Sequence, residues 1–353
     1  MGRKPTILIT GVSGNLGLRL PEFLCDFEIV GIDFREPRDH APLTAFEKID
    51  LAEERSCGQL LGIMNRWRPE AVVHLAFVVD PLSTGIIDPR KMWNINVSGT
   101  GRVMEAIAEY NRSLGGVLKF IFPSSVSAYG PELAQAVNED APLQAHTFPY
   151  ALHKREADLA VQSRARSLKC QTYILRPSIF SGPTVQNFLM SVLRGIPGGR
   201  GRTARKMRER SKRMPLLLPA GKKHRHKKFQ FVHVDDMGRL IAHILNRRQL
   251  DPSLTVLNVA GRGPALTLGE CAEIAHLNTL RVPGRVSAGW LLNLLWKAGV
   301  TDVPPEALPY MLGNFVVDTS RLERFIGEQY GEVIQHTSAE ALMLGVRDAN
   351  HLR

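Results

Sequence analysis

A glycine recurs at every third residue just past the chain's first apolar run, and no other feature constrains the fold as strongly. Thr6–Thr10 leads directly into Gly11-Val12-Ser13-Gly14-Asn15-Leu16-Gly17. A strand that turns at once into a helix needs a first glycine for the tight turn. A second lets the backbone approach a pyrophosphate, and a third lets the helix pack close to the sheet. The anion then sits at the helix N-terminus, where free N–H groups and aligned peptide dipoles favour negative charge. Ser13, Asn15 and Leu16 complete the loop as candidate cofactor contacts. A second apolar run, Glu28–Asp33, ends in a carboxylate 22 residues after Gly11. That is the spacing at which an acid accepts hydrogen bonds from an adenosine ribose. Asp33 would repel a 2′-phosphate, so NAD is expected; Arg35 softens that preference and keeps NADP admissible.

Strand-length apolar runs alternate with helix-length segments through the first half. Candidate strands are Thr6–Thr10, Glu28–Asp33, Ala71–Leu75, Lys119–Pro123 and Gln171–Arg176, with Thr255–Ala260 returning later. Their apolar residues run on without alternating, as in strands buried on both faces. Amphipathic stretches such as Trp93–Tyr110 and Tyr150–Leu168 lie between them. The expected class is α/β: a Rossmann-type doubly wound parallel sheet with a smaller mixed α/β C-terminal substrate lobe. The expected dinucleotide-binding domain covers residues 1–177 and is completed by about 229–260. The lobe takes 178–228 and 261–353, with a basic insertion at 195–228.

The fourth of these candidate strands ends in Pro123-Ser124-Ser125-Val126-Ser127-Ala128-Tyr129-Gly130, and Tyr150-Ala151-Leu152-His153-Lys154 follows 25 residues after Ser125. On a helix, Tyr150 and Lys154 share a face. An ammonium near a phenol favours the phenolate, which matters because a free phenol, with a pKa of about 10, is too weak an acid to serve as a base near neutrality. Ser125, at a strand's C-terminal end, is placed to hydrogen-bond a reacting oxygen. A Tyr/Lys pair at this spacing is common by chance on exposed helices. Its position after a serine-bearing strand end, on a dinucleotide-binding domain, makes it the candidate catalytic set.

The 353-residue chain carries a formal net charge of +11. Thirteen Lys/Arg and one acid, Glu209, fall within residues 200–228, a local +12 that leaves about −1 for the rest. A basic surface confined to one segment argues against a specific nucleic-acid partner, which would draw on several elements. A mobile solvated loop is the leading expectation for this segment. A cationic lid over an anionic substrate is the second, and a peripheral contact with an anionic membrane, Leu216-Leu217-Leu218 dipping in, the third. Trp290–Trp296 is apolar at helical spacing and is expected to be a core helix of the lobe. Four scattered cysteines suggest neither a disulfide framework nor a metal site, and a reducing, cytoplasmic setting is expected. Met1-Gly2 with Thr6 matches a loose N-acylation pattern, read as accidental because Thr6 belongs to the first strand. The early start of that strand leaves no room for a signal peptide.

Taken together, these blocks resemble the extended short-chain dehydrogenases/reductases of the NAD-dependent epimerase/dehydratase type. The resemblance also rests on Ile49-Asp50-Leu51, His74-Leu75-Ala76, Asn94–Thr100, Leu175-Arg176-Pro177, Phe231–Asp236, Leu257-Asn258-Val259 and Asp318–Leu322. It implies adenine contacts from Asp50 and Leu51, and a path for NAD along Leu75, Ala76 and Pro177. Asn96 would support the active-site helix. Tyr150 would be the acid/base, Lys154 the ribose ligand, and Ser125, with Ser127, the substrate-orienting pair. The implied activity is epimerisation or dehydrogenation at a hydroxyl/ketone carbon, most readily of a nucleotide sugar, by a homodimer built from paired helices. Two departures bear on the substrate. Val126 and Ser127 stand where dehydratases of the family carry acids, and Phe229 stands where sugar-nucleotide enzymes carry a diphosphate-binding arginine. Asn187 resembles an asparagine that contacts the nucleotide. A hydrophobic ketone, aldehyde or sterol-like substrate, or a non-catalytic NAD-binding scaffold, are the alternatives.

Overall fold

β1 (Thr6–Thr10) is buried at all five positions. Ile7 and Ile9 point into one core and Leu8 into another, so both faces are covered and polar alternation is unnecessary. The computed structural model describes residues 4–37, 42–249 and 251–347. Met1-Gly2 of the acylation pattern lies outside them. Around β1 stand β2 (Glu28–Asp33), β3 (Ala45–Lys48), β4 (Ala71–His74), β5 (Lys119–Pro123), β6 (Gln171–Pro177) and β7 (Leu254–Val259). The sheet order is β7-β6-β5-β4-β1-β2-β3, and every pairing is parallel. Chain order reverses between β1 and β4, the position at which such sheets open a ligand crevice beyond the strand ends.

Helices cover both faces. α2 (Ser56–Trp67), α3 (Gly99–Ser113) and α4 (Pro149–Arg164) press Leu60, Met64, Val103, Ile107 and Val161 onto the side carrying Leu8. On the other side lie α1 (Asn15–Arg19), continued by Leu20–Phe23, and α5 (Val234–Asn246), which buries Met237, Leu240, Ile241 and Ile244. β3 is absent from the sequence expectation. Its Ala-Phe-Glu-Lys has no apolar run, and it can form because an edge strand needs only one paired side.

The remaining strands build small two-stranded sheets in the lobe. Ile179–Ser181 pairs with Phe231–His233, and Leu216–Pro219 pairs with Thr279–Val282. α6 (Arg285–Lys297) lies over the second pair. Residues 195–228 therefore do not form the solvated loop expected of them. They contain the helix Arg202–Glu209 and the strand Leu216–Pro219. Leu216 and Leu218 are buried and face α6, so they are not available to enter a membrane. Several arginines of the region fold inward onto carbonyl oxygens: Arg208 onto Pro197 and Gly199, and Arg213 onto Arg194 and Ala275. α6 departs from its expected core role as well, because Trp290 is 67% exposed and Leu294 49% exposed.

Candidate active site

The glycine loop has the geometry its sequence requires. Gly11 adopts φ +78°, and a Cβ there would lie 2.4 Å from the amide nitrogen of Ala76. A Cβ on Gly17 would lie 2.3 Å from the Gly11 carbonyl oxygen, so this glycine lets α1 pack against the turn. Gly14 caps α1 without any side chain satisfying the first-turn N–H groups, which leaves those donors to an anion. Asp33 closes the far side. Its Oδ2 accepts from the Ser13 amide at 3.1 Å and its Oδ1 from the Arg35 amide at 3.1 Å, while Ser13 Oγ donates to the Arg35 carbonyl at 2.7 Å. Each carboxylate oxygen keeps a lone pair for a further donor. Asn15, beside Leu16 at the start of α1, reaches the Gln186 carbonyl of the lobe. Asp50 accepts from the Ala52 amide and pairs with Lys91 at 3.0 Å, and Leu51 is buried beside it.

A buried relay joins β1 through β4 to α3. Thr10 Oγ1 lies 2.7 Å from His74 Nδ1, and His74 Nε2 lies 3.0 Å from Thr100 Oγ1. Thr100 spends its proton on the Asn96 carbonyl, so it must accept from Nε2–H. Nδ1 then accepts from Thr10, whose oxygen in turn accepts from the Ala76 amide. Burial, aided by the Lys154 charge, pushes His74 down to about 3 and keeps it neutral. Leu75 donates to the Thr10 carbonyl at 3.0 Å, which fixes the start of the segment that runs through Ala76 and Phe77. Asn96 holds the same segment from the other side through both Val78 backbone groups. Pro177 ends β6, and the next residue, Ser178, donates to the Val259 carbonyl. Sequence reasoning named Thr10, His74 and Thr100 only within motif blocks and gave them no role, and it missed Phe77, which carries no polar signal.

Ser125 and Tyr150 do meet. Ser125 Oγ accepts from the Ser127 amide at 3.1 Å and from Ser127 Oγ at 2.9 Å, which leaves its own O–H to point elsewhere. The nearby Ser125 hydroxyl pulls the pKa of the Tyr150 phenol down, against burial, which pushes it up more strongly. Lys154 is seated differently from the expectation. Its Nζ donates to the Pro123 carbonyl at 2.6 Å and lies 3.7 Å from the Phe77 ring centroid. The ammonium is not among the groups that shift the phenol. Helical spacing brought the two residues to one face, but Phe77 lies against both, its ring edge-on to Tyr150 at 5.9 Å. Burial pushes Lys154 down to about 7, with Asp158 opposing.

Behind α4, Arg176 grips Asp158 with two hydrogen bonds of 2.9 and 3.0 Å and also bonds the Tyr129 hydroxyl at 2.8 Å. Both members of the pair are buried. Asn187 is committed at both ends of its amide. Oδ1 caps the helix Phe188–Arg194 by accepting from Met190, and Nδ2 donates to the Phe180 carbonyl. Phe229 is buried and stacked on Phe315 at 6.0 Å. The lobe also holds an apolar cavity of about 120 Å³, lined by Leu189, Leu216, Leu218, Leu291, Leu295 and Met311.

Residues 7–260 match the model of the NAD-dependent epimerase/dehydratase family. The chain belongs to that family. An uncharacterised epimerase/dehydratase of Staphylococcus saprophyticus is 25% identical over 162 residues, 44% of this chain and 47% of that protein. The chain thus spans about half the length of the curated relatives it matches. The fold extends further. MoeE5 in complex with UDP-glucuronic acid and NAD superimposes with a TM-score of 0.65 at 21% identity, covering 99% of this chain and 100% of that one. A dTDP-glucose 4,6-dehydratase of Bacillus anthracis in complex with NAD gives 0.67 at 16% identity, covering 98% and 97%. NAD is the family's cofactor, and the uncapped α1 turn, the Asp33 carboxylate and the buried Lys154 are donors and acceptors that fit it. Among the described residues no helix is long and apolar enough to cross a membrane.

Proposed function

We propose that this protein is an NAD-dependent epimerase or dehydrogenase acting at a hydroxyl/ketone carbon of a nucleotide sugar, with Tyr150 as the proton carrier. The observation that carries the reading is the convergence of Ser125 on the Tyr150 phenol, with Phe77 edge-on to that ring and Lys154 Nζ over the Phe77 face. The loop from Gly11 to Gly17 and Asp33 would hold the adenosine and pyrophosphate, with Asp50 and Leu51 at the adenine and Lys154 at the nicotinamide ribose. When bound, NAD supplies a hydride acceptor and a positive ring beside the phenol. The chain's own residues handle the proton. As the phenolate, Tyr150 Oη would take it from the substrate hydroxyl, and the Ser125 hydroxyl would donate to the substrate oxygen as that oxygen loses its own proton. Burial of the phenol excludes competing water. Lys154, anchored on Pro123, keeps α4 in register with β5.

The residues from 178 to 228 and from 261 to 353 would form the substrate lobe. The absence of acids at Val126 and Ser127 disfavours dehydration. We further propose a homodimer through α4 and the stretch Trp93–Tyr110 that contains most of α3, with Trp93, ahead of α3, and Leu159, on α4, exposed, and a reducing, cytoplasmic setting, in keeping with four free cysteines. Phe229 and the apolar cavity favour a second reading, a reductase of a hydrophobic ketone. A melting-temperature screen with NAD together with UDP-glucose, UDP-galactose or UDP-glucuronic acid separates them. A sugar nucleotide that raises the melting temperature beyond NAD alone and is converted without net cofactor consumption supports epimerisation. No shift with any of them, and steady NADH oxidation with an apolar ketone, replaces the first reading with the second.

A further inference from the structure

The described structure leaves one strongly amphipathic surface that the proposed chemistry does not use. α6 turns Ala288, Leu291, Leu292 and Leu295 onto the lobe cavity. Its outer side carries Trp290, 67% exposed, and Leu294, 49% exposed, while Trp296, 39% exposed, stands about 120° round the helix from Trp290. Leu280, on the strand beneath α6, is exposed too. Two exposed indoles and an exposed leucine on one helix are costly in water.

The cationic segment is joined to the end of this helix. The Gly199 amide donates to the Val300 carbonyl at 3.1 Å, and the Gly201 amide to the Gly299 carbonyl at 2.8 Å. A Cβ on Gly201 would lie 2.7 Å from the Ala298 carbonyl oxygen, so the two backbones touch. The helix Arg202–Glu209 starts there, and Arg202, Arg205, Lys206, Arg210 and Lys212 are exposed. Glu209 is the single acid between residues 200 and 228, and it lies 3.8 Å from Arg205. Arginines bonded to carbonyl oxygens keep their full charge.

We infer that α6 and the helix Arg202–Glu209 together form a docking surface for an anionic lipid bilayer, with the indoles at the headgroup level and the cations over the acidic lipid. Indole rings favour that boundary because one edge is apolar and the N–H is polar. A basic segment beside them gains from the negative surface potential. A second copy docked symmetrically on this patch would set one cationic segment against another, which like-charge repulsion opposes. This surface differs from the one first suggested by Leu216–Leu218, which are buried.

The test is co-sedimentation of the full-length protein with phosphatidylcholine vesicles and with vesicles of about one-third phosphatidylglycerol. The wild type should bind the anionic vesicles, weakly at high salt, and not the neutral ones. K206E/R210E and W290S/L294S should each lower the partition coefficient about tenfold or more with melting temperatures unchanged. Brominated acyl chains should quench the emission of the wild type, and W290F/W296F, which keeps the apolar bulk, should lose that quenching. Absence of binding to anionic vesicles overturns the inference. So does binding that W290S/L294S leaves intact, or quenching that W290F/W296F retains. Tight binding to duplex DNA without binding to vesicles would also overturn it and assign the cations to a nucleic-acid partner.

Discussion

Lys154 Nζ donates to the Pro123 carbonyl oxygen at 2.6 Å, across 31 residues of sequence, and so pins α4 to the C-terminal end of β5. The bond orients the helix that carries Tyr150, while burial lowers the ammonium to about 7. An unfolded lysine titrates near 10.4. Between those values the unfolded chain holds more protons than the folded one, so this group's contribution makes stability rise with pH through that window. Below about pH 7 the penalty is fully present. Lys154→Met removes it. The melting temperature of the cofactor-free variant relative to wild type should therefore be most favourable near pH 6 and decline toward pH 10, as read by calorimetry at several pH values. A pH-independent difference would mean that the ammonium is not desolvated.

Asp33 accepts from the Ser13 and Arg35 amides, so its carboxylate is oriented before any cofactor arrives. Asp33→Ser should weaken NAD by about tenfold, the loss of a charge-assisted hydrogen bond. It should also narrow the preference over NADP, because the charge that repels a 2′-phosphate is gone. Calorimetric titration of both dinucleotides reads this directly, and an unchanged ratio would detach Asp33 from the ribose.

Arg176 and Asp158 form a buried bidentate pair one turn beyond Lys154. Arg176→Met leaves the buried Asp158 carboxylate without its cation, with Gln162 Nε2 still donating to it at 2.7 Å, which should cost about 3 kcal/mol. The double variant Arg176→Met/Asp158→Leu should recover part of that loss. Chemical denaturation of the three proteins tests both statements.

Asp302 is pushed up to about 6 by burial, with Asp80 adding to the rise and Arg208 opposing it. An unfolded aspartate titrates near 3.9, so between the two values the folded state holds the extra proton. Its contribution then lowers stability as pH rises from about 4 to 6, by an amount on the order of 3 kcal/mol that persists above pH 6. Asp302→Asn should raise the melting temperature at pH 8 relative to wild type by more than it does at pH 4. Equal shifts at both would contradict the burial of this carboxyl.

The parallel sheet was legible because β1, β2, β5 and β6 are nearly continuous apolar runs, and their edges fall within a residue of expectation. β3 was not legible, since an edge strand with Glu47 and Lys48 looks like a loop. Motif spacing named Ser125 and Tyr150 as one set, and the two lie near each other. The seat of Lys154 did not follow from spacing, because helical periodicity says which residues share a face and not which ring comes between them; here that ring is Phe77, supplied by the segment after β4. Residues 200–228 misled by their charge. Arginine side chains can turn inward to carbonyl oxygens, so a cationic segment need not be unfolded.

The central claim, that Tyr150 Oη carries the substrate proton, is tested most directly by rapid mixing of NAD-loaded wild type and Tyr150→Phe with a sugar nucleotide that the wild type converts. Wild type should show reduced nicotinamide absorbance within a turnover. Tyr150→Phe should bind NAD equally well and slow that signal by about 10²–10⁴-fold. A variant that reduces the nicotinamide at the wild-type rate would contradict the account.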